Sequence, residues 1–368
     1  MARVIIAPDK FKGSLPAKEV AEAVAAGLRR AVPGTETLAC PIADGGDGTA
    51  AAAVAAGFEF VPAEATGPTG ERVRTGYARQ GAVAVVELAA VSGLSLLPGG
   101  VLAPLTANTV GVGELIGRAL ADGCTRIVLG LGGSASTDGG SGLVRGLGAK
   151  LLDDGGRELP LGGKALLDLA HVDLTGMDPR LREAEIIVAS DVDNPLLGTQ
   201  GAAAVYGPQK GATPEEVALL DSALGHFADV VDPAMADAPG AGAAGGTGYA
   251  ALTLLHARFR PGIDVVLEMT GFEAKLPGAD LVITGEGSFD EQTLRGKGPA
   301  GVAEAARRLG IPVVAMAGRL ALPPETLQEH GFSAAYALTD LEPDVTRCMA
   351  ETAPLLERLA ARVAADWL

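Results

Sequence analysis

Arg126-Ile127-Val128-Leu129, running without a break into Gly130-Leu131-Gly132-Gly133-Ser134-Ala135-Ser136-Thr137-Asp138-Gly139-Gly140, is the stretch on which the reading of this fold turns. A short, continuous apolar run suits a strand covered on both faces, as in a parallel sheet. The glycine, serine and aspartate that follow at once read as a tight turn into a helix. The same junction recurs along the chain. Val4–Ala7 leads to Pro8-Asp9-Lys10-Phe11-Lys12-Gly13-Ser14, and a strand ending at Cys40 leads to Ala43-Asp44-Gly45-Gly46-Asp47-Gly48-Thr49. Ile186–Ala189 leads to Ser190-Asp191-Val192-Asp193-Asn194-Pro195, and Leu281–Thr284 to Gly285-Glu286-Gly287. Ala84–Val86 and Val313–Met316 read as two more strands of this kind.

Amphipathic helices fall between several of these strands. Ser14 reads as the N-cap of a helix with Val20, Val24 and Leu28 on one face. Thr109 precedes the i, i+3, i+4 series Val112, Leu115, Ile116, Ala119 and Leu120. Thr213-Pro214-Glu215-Glu216 predicts a capping box with proline at the first helical position. A last helix is expected over roughly residues 343–365. Strands alternating with helices mean an α/β fold. The exception runs from Gly67 to Glu87, where Thr66-Gly67-Pro68-Thr69-Gly70 before Val73-Arg74-Thr75-Gly76-Tyr77 predicts antiparallel hairpins. The predicted division is therefore 1–66 plus 278–368 for one domain and 67–277 for an inserted second.

The chain has 368 residues, enough for about two domains. Its 29 Lys+Arg against 45 Asp+Glu argue against nucleic acid, which needs a basic surface. The 52 glycines lie in short runs without a G-X-Y period, so collagen-like and linker readings fail. Cys40, Cys124 and Cys348 have no CxxC spacing and read as buried free thiols. The N-terminal apolar run breaks at Pro8-Asp9, too early for a signal peptide, and no run is long enough to span a membrane. A cytoplasmic protein is expected.

Ligands of open α/β sheets bind beyond the carboxyl ends of the strands. Several such ends rich in Gly, Asp, Ser and Lys predict a composite site between domains. Gly132-Gly133-Ser134 reads either as a plain βα turn or as a phosphate cradle of backbone N–H groups. Asp138 is an N-cap or part of that cradle. The Lys12 ammonium, just ahead of a helix start, suits a carboxylate or a phosphate. Asp9, Asp44, Asp191, Asp193, Glu286 and Asp290 sit on predicted turns near strand ends. That distribution suits Mg²⁺ held by one or two carboxylates plus substrate phosphates, with another aspartate taking a hydroxyl proton. The four histidines lie outside these motifs, so a Ser–His–Asp triad has no base. No G-x-x-x-x-G-K-[ST] occurs, and Gly130-x-Gly132-x-x-Ala135 alone is a weak dinucleotide signature.

Together these motifs resemble the type-1 glycerate kinases, whose bacterial members phosphorylate D-glycerate with ATP. The matching blocks are Ala7-Pro8-Asp9 with Phe11-Lys12-Gly13-Ser14-Leu15, Ala43-Asp44-Gly45-Gly46-x-Gly48-Thr49, Gly132-Gly133-Ser134-Ala135 with Asp138-Gly139-Gly140, and Asp191-x-x-Asn194-Pro195-Leu196. Further blocks are Gly207-Pro208-Gln209-Lys210-Gly211-Ala212, Gly240-Ala241-Gly242-Ala243-Ala244-Gly245-Gly246, and Ile283-Thr284-Gly285-Glu286-Gly287 with Asp290-x-Gln292-Thr293 and Gly296-Lys297. They run in family order across nearly the whole chain. Lys10 departs from the family's usual Ser, Asp47 from Glu, and Ser136-Thr137 from Thr-Asn; none of these changes removes an acidic or lysine position.

The resemblance implies two α/β domains with a cleft between them, one Rossmann-like with a mostly parallel sheet, the other mixed. It implies ATP and Mg²⁺ as cofactors, D-glycerate as the small-molecule partner and 2-phosphoglycerate as product, and leaves monomer and homodimer open. The resulting assignment makes Asp191 and Lys12 catalytic. It places Asp9, Lys10, Ser14, Asp44, Gly45, Gly46, Asn194 and Lys210 at the substrate. Gly132, Gly133, Ser134, Asp138, Gly139, Gly285, Glu286 and Gly287 are placed at ATP, and Asp191, Glu286 and Asp290 at the metal. The alternatives are a glycerate 3-kinase, a galactokinase–homoserine kinase–mevalonate kinase type enzyme with a similar Gly-rich loop, and a non-catalytic acid-binding protein. In the second of these a proline precedes the loop, where Arg126–Leu129 reads as a strand.

Overall fold

Both chain ends build one sheet. The structure, a computed structural model, describes residues 1–294 and 297–368. The chain packs as two units, one of Met1–Asp44, Ala51–Gly57 and Pro261–Leu368, the other of Gly45–Ala50 and Phe58–Arg260. The first unit opens with β1 (Arg3–Pro8) and β2 (Glu36–Ala39). The second carries β3 (Glu59–Thr66), β4 (Arg72–Gln80), β5 (Val83–Glu87), β6 (Arg126–Gly130), β7 (Lys150–Leu152), β8 (His171–Asp173), β9 (Glu185–Ala189) and β10 (Arg258–Arg260). The chain then returns for β11 (Leu281–Phe289), β12 (Val313–Leu320) and β13 (Ala334–Ala337).

The first unit is a five-stranded, wholly parallel sheet in the order β13-β12-β11-β1-β2. Alternation along the strands feeds two cores. Val4 and Ile6 of β1 and Leu281 and Ile283 of β11 face Val20, Val24 and Leu28 of the helix Ala17–Ala31 and Leu356, Leu359 and Val363 of the helix Thr352–Trp367. Ile5, Ala7 and Val282 face the helices Gly262–Thr270 and Gly298–Arg307 instead. Helices on both faces make this a doubly wound layer, with its strands buried as the continuous apolar runs require.

The second unit is mixed. Its six-stranded sheet has the order β10-β9-β6-β5-β4-β3, with β3, β4 and β5 joined antiparallel and the rest parallel. The pair β7 and β8 forms a small separate sheet. The helix Val110–Ala121 packs its predicted face into this unit's core. The capping box at Thr213 opens the helix Pro214–Val231, with Thr213 Oγ1 accepting from Glu216 N and Glu216 taking the Thr213 N–H.

The chain passes between the two compact units at 44/45, 50/51, 57/58 and 260/261, beside the expected 66/67 and 277/278. Every residue of β3 pairs with β4, while Ile263, Val266, Leu267 and Phe272 belong to the core beneath β1. Two other expectations need correction. Ser14 is not a helix cap, because Pro16 holds that place before the helix Ala17–Ala31; the Ser14 hydroxyl donates to the Met349 carbonyl (2.8 Å). The last helix is two, Val345–Ala350 and Thr352–Trp367, broken at Glu351. The three cysteines are free and buried, as expected. No helix among the described residues is long and apolar enough to cross a membrane.

Candidate active site

In the first unit the polar residues gather where β1 and β11 end. Asp9 directly follows β1; its N–H donates to the Gly285 carbonyl (2.8 Å) and its carboxylate accepts from Lys10 N (2.6 Å). It is 8% exposed. Burial, and next the Asp44 carboxylate, push its pKa up to about 7 against the Lys10 ammonium; Glu286 pushes the same way. Glu286 is also raised, mainly by burial, while the Thr293 hydroxyl and the Lys297 ammonium oppose the shift. Asp44 and Asp290 add further negative charge beside it. Its Oε1 is buried without a partner among the described residues. Gly285 is a close-approach glycine, since a Cβ there would stand 1.8 Å from the Met316 carbonyl oxygen of β12. Lys12 is exposed on the turn between β1 and the first helix.

In the second unit the register sets Glu87, Gly130 and Ala189 side by side at the ends of β5, β6 and β9. Beyond Gly130 the chain turns at Gly132 and Gly133. Among the described residues neither glycine's N–H has a hydrogen-bond partner. The turn is fastened elsewhere: Leu94 N donates to the Gly133 carbonyl (3.0 Å) and Ala135 N to the Ser92 carbonyl (2.9 Å). The loop 45–50 lies against it; a Cβ on Gly130 would meet the Gly45 carbonyl oxygen at 2.7 Å, and one on Gly132 the Gly46 Cα at 2.5 Å. Glu87 holds that loop by accepting from Gly48 N (3.0 Å) and Ala50 N (3.1 Å). Its carboxyl is raised, chiefly by burial and further by the adjoining Asp47 carboxylate.

Several predicted ligand contacts are turned inward. Asp138 is 0% exposed; its oxygens accept from Thr109 N, Thr109 Oγ1, Gly140 N and Gly142 N. It organises two helix starts rather than facing a ligand. Lys210 is 2% exposed, donating to Ser134 Oγ (3.2 Å) and the Ser136 carbonyl. Burial lowers its pKa to about 7, opposed by the Asp138 charge. The Asn194 amide is engaged locally, donating to the Gln200 carbonyl (2.8 Å) and accepting from Tyr206 OH (2.7 Å). A Cβ on Gly139 would meet the Phe227 ring at 2.9 Å. Asp191 is exposed just past β9.

The residues assigned to ATP fall into both units, Gly285, Glu286 and Gly287 in the first and Gly132, Gly133, Ser134, Asp138 and Gly139 in the second. The metal set divides likewise, with Glu286 and Asp290 in the first and Asp191 in the second. Among the described residues no three His, Cys, Asp or Glu side chains gather as a metal site. Gly296, part of the last matching block, lies outside the described residues. Glu87 was not predicted, although it is the last residue of a buried strand, as Asp9 is the first beyond β1; reading acidic residues at strand ends would have found it.

The model of the glycerate kinase family matches residues 4–368. The chain is 45% identical to a glycerate kinase of Bacillus subtilis (strain 168), covering 99% of this chain and 97% of that protein. It is 44% identical to a glycerate 2-kinase of Escherichia coli (strain K12), covering 91% and 90%. A crystal structure from Salmonella typhimurium LT2, described provisionally as glycerate kinase 2, superposes with a TM-score of 0.84 at 42% identity over 99% of this chain and 98% of that one. The protein is thus a kinase, a transferase built on two α/β units. It belongs to the glycerate kinase family.

Proposed function

We propose that the protein transfers the γ-phosphoryl group of ATP to the 2-hydroxyl of D-glycerate, giving ADP and 2-phosphoglycerate. The observation that carries the nucleotide part is the pair of open N–H groups at Gly132 and Gly133, beyond a buried parallel strand. Such a turn presents donors to phosphate oxygens. The 2-position is supported by the name of the E. coli relative, glycerate 2-kinase. The exposed Lys12 ammonium takes the acid's carboxylate or the transferred phosphoryl group.

Asp191, past the end of β9, takes the hydroxyl proton as general base. A second reading gives that task to Asp9, because its pKa of about 7 makes it a better-matched base at neutral pH. The two readings part in the pH profile. If Asp9 is the base, kcat/KM rises with pH through about 7, as its neutral form gives way to the carboxylate, and Asp9→Asn abolishes that limb. If Asp191 is the base, Asp9→Asn leaves the pH profile of kcat/KM as it is in the natural protein.

Mg²⁺ fits the first unit's carboxylates, where Glu286 keeps one buried oxygen without a partner among the described residues, beside Asp290. Mg²⁺ would supply neutralisation of charge on phosphate oxygens. The buried free thiols suit a reducing cytoplasm. The test is ADP release by the purified protein with ATP and Mg²⁺. Release that requires D-glycerate, and does not occur with homoserine or mevalonate, is expected. Release without any acceptor, or none with D-glycerate, contradicts the reading.

A further inference from the structure

Lys210 is the one lysine among the described residues with so little exposure, and it closes the short turn Pro208–Lys210. Gly211 follows at φ +93°, in the left-handed region, so the chain turns away while the lysine points inward. Its ammonium reaches Ser134 Oγ (3.2 Å) and the Ser136 carbonyl. It also lies against the left-handed run Ala244, Gly245 and Gly246, where a Cβ on Gly245 would stand 2.9 Å from Nζ. Ser134 Oγ is in turn 3.4 Å from the Ala244 carbonyl.

A buried ammonium is costly to desolvate, and an apolar side chain of similar length would fill the same space without that cost. What only the ammonium supplies is its pair of bonds to the segment directly after Gly133. The turn is fastened on its other side by Ser92 and Leu94, as described above. Without the lysine, Ser134 Oγ and the Ser136 carbonyl, which also bond each other (3.2 Å), would lose their tie to the turn Pro208–Lys210. We propose that Lys210 is a positioning residue for the nucleotide: through Ser134 and Ser136 it holds the Gly132–Gly133 turn in the shape that leaves both N–H groups open to phosphate. This deepens the reading of that turn as the ATP cradle and rests on it. It also reverses the assignment of Lys210 to the substrate, since its ammonium is enclosed.

The test compares Lys210→Met and Lys210→Arg with the natural protein. The readouts are ADP affinity by calorimetry in Mg²⁺, separate KM values for ATP and D-glycerate, and local hydrogen exchange. Lys210→Met should weaken ADP binding and raise the ATP KM by tenfold or more, with less than a twofold change in the D-glycerate KM. Faster exchange should be confined to residues 131–137 and 244–247, and Lys210→Arg should recover part of the ATP affinity. Unchanged ADP affinity in Lys210→Met overturns the proposal. So does failure of both variants to fold, or faster exchange throughout residues 58–260, which would make the lysine a support of the whole unit. A rise in the D-glycerate KM alone would overturn the assignment of the turn to ATP. If the natural protein binds ADP but never turns over D-glycerate, the proposed substrate fails while the role of Lys210 stands.

Discussion

Lys12 and Lys210 look alike in the sequence, each beside a glycine in a matching block, yet one is exposed and the other enclosed. Burial is decided by contacts far along the chain, here with Ser134 and Ser136, so no local pattern separates the two roles. The same holds for Asp138, whose four donors come from Thr109, Gly140 and Gly142. Lys12→Ala removes an exposed charge and should leave the melting temperature unchanged. It should lower kcat/KM by about 10²-fold, or about 2.7 kcal/mol of transition-state stabilisation; a loss below about threefold counts against the anion-binding role. Asp191→Asn keeps the shape and removes the charge. Under the proposed base role it should cost ~10²–10⁴-fold in kcat, with Asp193→Asn costing less. Equal, mild losses in both would move the chemistry to Asp9, whose environment already sets it apart.

Secondary elements were legible in proportion to how much of them is covered. β1, β5, β6, β9, β11 and β12 are continuous apolar runs because helices or neighbouring strands bury them. β3 is largely exposed or half-buried, with Glu59, Phe60 and Glu64 along it, and it shows only through its pairing with β4. The three-residue strands β7, β8 and β10 are too short for any period to register. Where helices pack, small residues carry testable weight. A Cβ on Gly27 would stand 2.2 Å from the Glu357 carbonyl oxygen, where the helices Ala17–Ala31 and Thr352–Trp367 cross. Gly27→Ala must therefore separate two backbones, and about 1–3 kcal/mol of stability should be lost in denaturant unfolding. Asp138→Ala should cost about 1–3 kcal/mol by orphaning buried donors at two helix starts. An unfolding midpoint equal to that of the natural protein would refute either account.

Over the whole molecule, the chain crosses between its units at 44/45, 50/51, 57/58 and 260/261. The short excursions 45–50 and 51–57 carry no change of composition, which is why only a single insertion could be read. Charge buried on folding has a consequence for stability that can be signed. Asp9 holds its proton up to about pH 7 when folded, against an ordinary value of 3.8. Between those values the folded state binds the extra proton, so its share of stability falls as pH rises. Lys210 runs the other way: folded it loses its proton near 7, against 10.5 ordinarily, so its share of stability recovers as pH rises above 7. Melting curves without nucleotide or Mg²⁺ should show Asp9→Asn gaining on the natural protein from about pH 4 to 7, and Lys210→Met losing its relative advantage above 7. A constant difference across the range would remove burial as the cause. Function is tested most directly by phosphorus NMR of the product formed from ATP, Mg²⁺ and D-glycerate. ADP and the resonance of 2-phosphoglycerate are expected in equal amounts; 3-phosphoglycerate, or ADP with inorganic phosphate alone, would contradict the proposed reaction.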